Sequence, residues 1–376
     1  MNRKTICLNL ALVMVSLCIA LILGEVILRF TFPQSLGVWR QTRDGLILLR
    51  PSFDGYSHAF QTRVKTNSLG FRDVEHELVA DTKTYRILLL GDSFMEALQV
   101  EFEESFPHLL EQELNKLLRC HVEVINASVS GWGTDDEVTY FSRRGRELRP
   151  DLVLYAFTLH NDVSDNLEER YHRRQRNKLH PKPVTNSSFP RHLSLEIRSY
   201  LISHSHLYQL AYKSYKSLGA VKAGKRVTSH VVELMRVDPG SMAENGWSVT
   251  KQLLAEAKRI SQIDGAKLVV FAIPLIYQVD SEAYENLLVK YGLRKGELDP
   301  DKPGSMLRRI LHEEDITRID LLSEFLKYSN VPGSDVLYLP SDGHWSRAGH
   351  RVAALALSRQ LSEIIRNSKS TKLKCR

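Results

Sequence analysis

Four stretches of this chain carry residue types that together can perform nucleophilic acyl chemistry. Gly91-Asp92-Ser93 offers a hydroxyl, and Asp342-Gly343-His344 offers a base with a carboxylate to orient it. Ser128-Val129-Ser130-Gly131 offers main chain that a substrate can approach closely, and His160-Asn161-Asp162 offers a side-chain amide. Acyl transfer needs a nucleophile, a base, a group that holds the base, and donors for the developing oxyanion. The expected assignment is Ser93 as nucleophile, His344 as base and Asp342 as its orienter. The N–H groups of Ser93 and Gly131 and the amide of Asn161 are the expected oxyanion donors. Glycine suits position 131 because it leaves the main chain open. Each stretch alone also has an ordinary reading: a capped tight turn, a loop cap, or a surface histidine before a helix.

These residues need elements to hold them. Ile87 to Leu90 is an unbroken apolar run of strand length with no helical stripe, stopped at Gly91. A helix-compatible run, Phe94 to Leu98, follows it. Ser93 therefore falls between the carboxyl end of a strand and the start of a helix, the edge where open α/β sheets place their sites. Further strands are expected at Val122–Asn126, Leu152–Phe157, Lys267–Ile273 and Ile319–Leu322. Helices are expected over Phe106–Leu118, from Thr134, over Trp247–Ile263, over Met306–His312 and over Arg347–Arg366, the last with Leu357, Leu361, Ile364 and Ile365 on its buried face. Thr134-Asp135-Asp136-Glu137 has the form of a capping box. Strands alternating with helices imply an α/β fold: a parallel sheet of about five strands with helices on both faces.

In chain order, three of the stretches following expected strands and the last preceding the final helix, the four resemble the SGNH (GDSL-type) hydrolase superfamily over roughly residues 84–366. Gly91-Asp92-Ser93 resembles its first block, Ser130-Gly131 its glycine block, Asn161-Asp162 its asparagine block and Asp342…His344 its last. The resemblance implies a three-layer flavodoxin-like fold, a serine nucleophile and a three-donor oxyanion hole. Its implied activity is that of an esterase, lipase, carbohydrate deacetylase or O-acyltransferase. Two departures stand out. Asp342 lies two residues before His344 where the family spacing is three, and Ser341 fills the three-back position. The shorter spacing resembles that of alginate-type O-acetyltransferases, which carry the pair ahead of the serine. Leu159 stands where many members have glycine.

The rest of the chain sets bounds. Ile6 to Gly24 is uncharged, with Arg3 and Lys4 before it and Glu25 and Arg29 after it. That length can span a bilayer, and basic residues on the short side place the N-terminus in the cytoplasm. A cleaved signal peptide is the competing reading, and both put the following domain outside the cytoplasm, periplasmic or extracellular. The expected organisation is an anchor over 1–30, an extension over 31–83, the main domain over 84–366 with an insertion at 165–245, and a polar tail over 367–376. From Arg170 to Arg226 the chain carries 13 Lys/Arg against the single acid Glu196, whereas its net charge is +7. A solvated surface is the simplest reading of that basic insertion; an anionic lipid or acidic polymer is the sharper one, and nucleic acid is not expected. Cys120 and Cys375 lie in the exported part and suffice for one disulfide.

His160, next to the expected oxyanion asparagine, reads as structural. His204 and His206 lie two apart on an expected helix and so point apart. No phosphate loop, zinc spacing or dinucleotide fingerprint occurs, so no cofactor or metal is expected. Three functions stay open. The first is an anchored serine ester hydrolase acting on acetyl or short acyl esters. The second is an O-acyltransferase acting on a surface polysaccharide, and the third a non-catalytic binding protein.

Overall fold

The computed structural model describes residues 3–34, 36–42, 45–57, 60–78, 81, 83–168, 170–175, 178–181, 197–198, 200–223, 230–340 and 342–367. Two compact units make up the chain.

The first unit takes in residues 1–50, 57–61 and 185–226. Its helix α1, Arg3–Thr31, is long and apolar enough over Thr5–Thr31 to be a membrane anchor or a signal sequence. A hairpin of Trp39–Gln41 and Ile47–Leu49 follows it. A second helix, His206–Ala223, starts against the end of α1. There Glu25 accepts hydrogen bonds from Ser205 Oγ and from the N–H groups of His206 and Leu207, satisfying donors that a helix start leaves unpaired. His206 Nδ1 accepts from Gln34 N–H, and the ring of His204 stacks on Tyr200. Both histidines thus hold this unit together.

The second unit is built on a five-stranded parallel sheet. Its strands are β1 (Thr84–Gly91), β2 (His121–Ser128), β3 (Leu152–Thr158), β4 (Lys267–Ile273) and β5 (Thr317–Asp320). Their spatial order is β5-β4-β3-β1-β2. The chain starts at β1, goes to one side for β2 and returns to the other for β3, so the strand order switches at β1. Every residue of β1 and of β3 is buried, which is why both read as continuous apolar runs rather than alternating ones. Ile87 and Leu89 face a layer formed by α3 (Phe106–Leu117) and the last helix, Arg347–Arg366, through Leu110, Leu114, Leu357, Leu361 and Ile365. On the other face α4 (Thr134–Arg143) packs on the long helix Ser241–Ile263. Trp247 of that long helix stacks on Phe157 of β3. The fold is therefore α/β in three layers, as the alternation of elements required.

Two helix starts differ from expectation. The long helix begins at Ser241, six residues before Trp247, with Glu233 accepting from Gly240 N–H just ahead of it. The cap of α4 is Gly133 rather than Thr134: Asp136 reaches back to Gly133 N–H at 3.1 Å. Glu137 is unavailable for the expected capping box because it is fully buried, where Tyr155 Oη donates to it. Residues Asn67–Arg72 of the extension form a turn whose Phe71 and Arg72 are buried, with Phe71 set edge-on against Trp132 and Tyr140.

Cys120 is disulfide-bonded, and Cys7 and Cys18 are free. Cys375 lies outside the described residues.

Candidate active site

The site forms where β2, β1 and β3 end side by side. Gly91 of β1 is level with Ser128 of β2, and Leu90 is level with Tyr155 of β3. Ser93 lies two residues past its strand, Gly131 three past Ser128, and Asn161 three past Thr158. The topology thus delivers three of the expected residues to one edge, at the point where strand order switches.

Ser93 opens a one-turn helix α2, Ser93–Glu96, shorter than the run to Leu98 suggested, because Ala97 turns to a left-handed φ of 55°. As the first helical residue, Ser93 has an N–H outside the helix's own bonding ladder, free to face charge. Asp92 caps the turn, its Oδ1 accepting from Phe94 N–H at 3.0 Å. Gly91 admits no side chain: a methyl there would lie 2.5 Å from Met95 Cγ.

His344 comes from a tight loop. Gly343 sits at φ +77°, Leu339 N–H donates to His344 O at 2.7 Å, and Ser346 N–H donates to Leu337 O at 2.9 Å. Trp345 anchors the loop, fully buried against Phe94, Phe106 and Phe325. This places His344 Nε2 2.8 Å from Ser93 Oγ, with the imidazole 4.8 Å from the Phe94 ring. A neutral His344 protonated at Nδ1 would accept the serine proton there.

Asp342 stands beside His344 but is imperfectly aligned. Its Oδ2 lies 3.3 Å from Nδ1, yet Nδ1 has no hydrogen-bond partner, so the contact is close without the line of an N–H···O bond. Its other oxygen accepts from the main-chain N–H of His344 at 3.1 Å. The two-residue spacing bends the carboxylate toward the backbone of its own loop. Ser341 lies outside the described residues.

On the oxyanion side, Gly131 has φ +81° and nothing within 4 Å of where a Cβ would sit, so its surroundings are open. Asn161 is half-buried; its Nδ2 donates to Asp165 Oδ2 at 2.8 Å, and its amide also lies within hydrogen-bonding reach of Asp92. Asp162 is buried and turned away: its Oδ2 accepts from Thr158 N–H at 2.9 Å and fixes the end of β3. His160 is exposed.

Buried acids surround this edge. Burial pushes the carboxyl pKa of Asp92 up, opposed by the Phe94 N–H and the nearby His344. Burial, with repulsion from neighbouring acids, pushes Glu137 and Asp162 well up. Glu96 rises to about 7, again through burial, against its bond from Ser130 and the attraction of Arg72. Among the described residues no group of His, Cys, Asp or Glu could hold a metal ion.

Sequence reasoning missed the supports. Arg72, in the extension, donates to the carbonyls of Glu96, Ala97 and Val100 and so closes the carboxyl end of α2. Glu96 accepts from Ser130 N–H, and Arg170 donates to Gly131 O. One signal was available: Glu96 is a lone charge inside the apolar run Phe94-Met95-Glu96-Ala97-Leu98.

No family model and no curated protein matches this chain. Solved structures resemble it at low identity. The structure of TesA is 14% identical with a TM-score of 0.37, covering 74% of this chain and 99% of that one. A catalytic mutant of Axe2, an acetylxylan esterase from Geobacillus stearothermophilus, is 13% identical with a TM-score of 0.39, covering 74% and 94%. The psychrotrophic esterase EstA from Pseudoalteromonas is 14% identical with a TM-score of 0.38, covering 75% and 100%. At such values the functional reading rests on this chain's own residues.

Proposed function

We propose that this chain is an SGNH-type serine ester hydrolase, held outside the cytoplasm by its N-terminal helix and acting on acetyl or short acyl esters. One observation carries the reading: the 2.8 Å approach of Ser93 Oγ and His344 Nε2 at the carboxyl edge of a parallel sheet. Ser93 attacks the acyl carbonyl while His344 takes its proton. The tetrahedral oxyanion is met by the N–H groups of Ser93 and Gly131 and by the Asn161 amide. On collapse, His344 returns the proton to the leaving alcohol, and water then repeats the sequence on the acyl-enzyme. Asp342, 3.3 Å from the ring, steadies the loop, with less control of the ring than an aligned bond would give.

The test is active-site labelling of the full chain in detergent with a fluorophosphonate, followed by peptide mass spectrometry and hydrolysis of a short acyl ester. Label on Ser93 is expected. Ser93→Ala and His344→Ala are each expected to lower turnover by about 10³-fold or more with the fold intact. Wild-type rates in either variant would overturn the assignment. An acyl-enzyme also permits an O-acyltransferase that modifies a surface glycan; transfer of the acyl group to added polysaccharide in preference to water would identify it.

A further inference from the structure

The loop carrying Gly131 is held at three successive points. Ser130 N–H donates to a carboxylate oxygen of Glu96, from the nucleophile helix. Gly131 O accepts from Arg170 Nη1 at 2.8 Å. Gly133 N–H donates to Asp136 Oδ2 at 3.1 Å, and Arg170 bridges to that same oxygen at 3.1 Å. Neither Glu96 nor Arg170 belongs to the four stretches that carry the chemistry.

We propose that Glu96 and Arg170 are positioning residues that clamp the Ser130–Gly133 loop from its two sides and thereby aim the Gly131 N–H at the oxyanion. The inference rests on the ester hydrolase reading above. Its physical basis is preorganisation: a donor stabilises a developing charge only if its direction is fixed before the charge appears. Gly131 needs that help more than most residues. At φ +81°, with no Cβ and no neighbour within 4 Å of one, its own sterics impose little on its peptide planes. The Glu96 bond fixes the chain just before Gly131, and the Arg170 bond fixes the carbonyl just after it.

The carboxylates of the clamp are desolvated, while Arg170 is half-buried. Glu96 and Asp136 are each 1% exposed. Burial raises Glu96 to about 7 against Arg72, with Asp92 adding to the rise. Burial likewise raises Asp136 to about 6 against Arg170, with Asp135 adding to it. The segment bearing Arg170 is itself tied down, since Asp135 accepts from Tyr171 N–H at 2.9 Å and meets His172 Nδ1 at 2.5 Å. The first residues of the basic insertion thus act as a strap over the oxyanion loop.

The experiment compares wild type, Glu96→Ala, Glu96→Gln, Arg170→Ala and the double variant Arg170→Ala/Asp136→Asn, all as full chains in detergent. Glutamine keeps a carbonyl oxygen for Ser130 N–H. Asparagine at 136 keeps an acceptor for Gly133 N–H without a stranded charge, so both of these variants should fold. Ester turnover is measured beside the affinity of an alkyl boronic acid, whose serine adduct places an anionic oxygen where the oxyanion forms. Glu96→Ala and the double variant are expected to lose about 10- to 100-fold in kcat with KM little changed, and boronate affinity should fall by the same factor. Glu96→Gln should return to within about threefold of wild type. Wild-type rates in Glu96→Ala and the double variant, a rate loss that leaves boronate affinity intact, or failure of Glu96→Gln to restore the rate would each overturn the clamp. A wild-type protein inert to both ester and fluorophosphonate would instead overturn the hydrolase reading.

Discussion

His76 provides a stability test that needs no substrate. Its ring is buried between two carboxylates, with Nε2 2.8 Å from Asp73 and Nδ1 2.7 Å from Glu123. Glu123 also takes Arg86 Nε at 2.7 Å, and Arg86 donates onward to the carbonyls of Glu77, Leu78 and Leu148. This network fastens the end of the extension to β1 and β2. Burial alone would pull the imidazole pKa down, but the bonds to Asp73 and Glu123 outweigh it and raise the value from 6.5 to about 9. A rise of that size is a preference for the charged ring of about 3 kcal/mol. Because the folded value exceeds the unfolded one, the contribution is complete below pH 6.5 and is lost as pH climbs through 9.

The perturbation is His76→Gln, which keeps a polar side chain but cannot carry charge. Urea unfolding of both proteins, followed from pH 6 to 10, should show the variant less stable by about 3 kcal/mol at the acid end. The gap should close to under about 1 kcal/mol at pH 10. Taking the difference between the two proteins cancels the other groups that titrate in that range. A gap that stays constant with pH would refute the reasoning, since it would mean that His76 stabilises by packing rather than by charge.

Other perturbations separate the remaining supports. Glu96→Gln should gain on wild type as pH rises from 4.5 through about 7, because a carboxyl whose folded pKa is raised destabilises the fold once it must ionise; paired unfolding curves at pH 4.5 and 8 check the sign. Arg72→Met strands the carbonyls of Glu96, Ala97 and Val100 and should cost about 3–5 kcal/mol in denaturant unfolding. Gly131→Ala forces a side chain onto φ +81° and should cost about 1–2 kcal/mol. Since nothing crowds that Cβ, its methyl projects into the open space over the loop, and turnover should fall further than stability does. Equal effects on both would argue that substrate does not approach there.

What the sequence determined on its own was local or repetitive. The unbroken apolar runs of β1 and β3 had to be strands of a sheet covered on both faces, and the punctuation after them had to be turns. The positions of Ser93, Gly131 and Asn161 after strand ends, and of His344 before the last helix, were legible for the same reason: each lies within a few residues of the element that carries it. Even the two-residue spacing of Asp342 and His344 could be read, although only the folded loop shows the carboxylate out of line with Nδ1. The supports were different. Arg72 meets Glu96 O across 24 residues, Ser130 meets Glu96 across 34 and Gly131 meets Arg170 across 39. No spacing rule links such pairs, because chain folding rather than helix or strand period brings them together. Capping followed the same logic, since Glu137 could serve α4 or the buried Tyr155 and only packing chose between them. Local sequence placed the candidate reacting groups; the folded interior decided which charges hold them still.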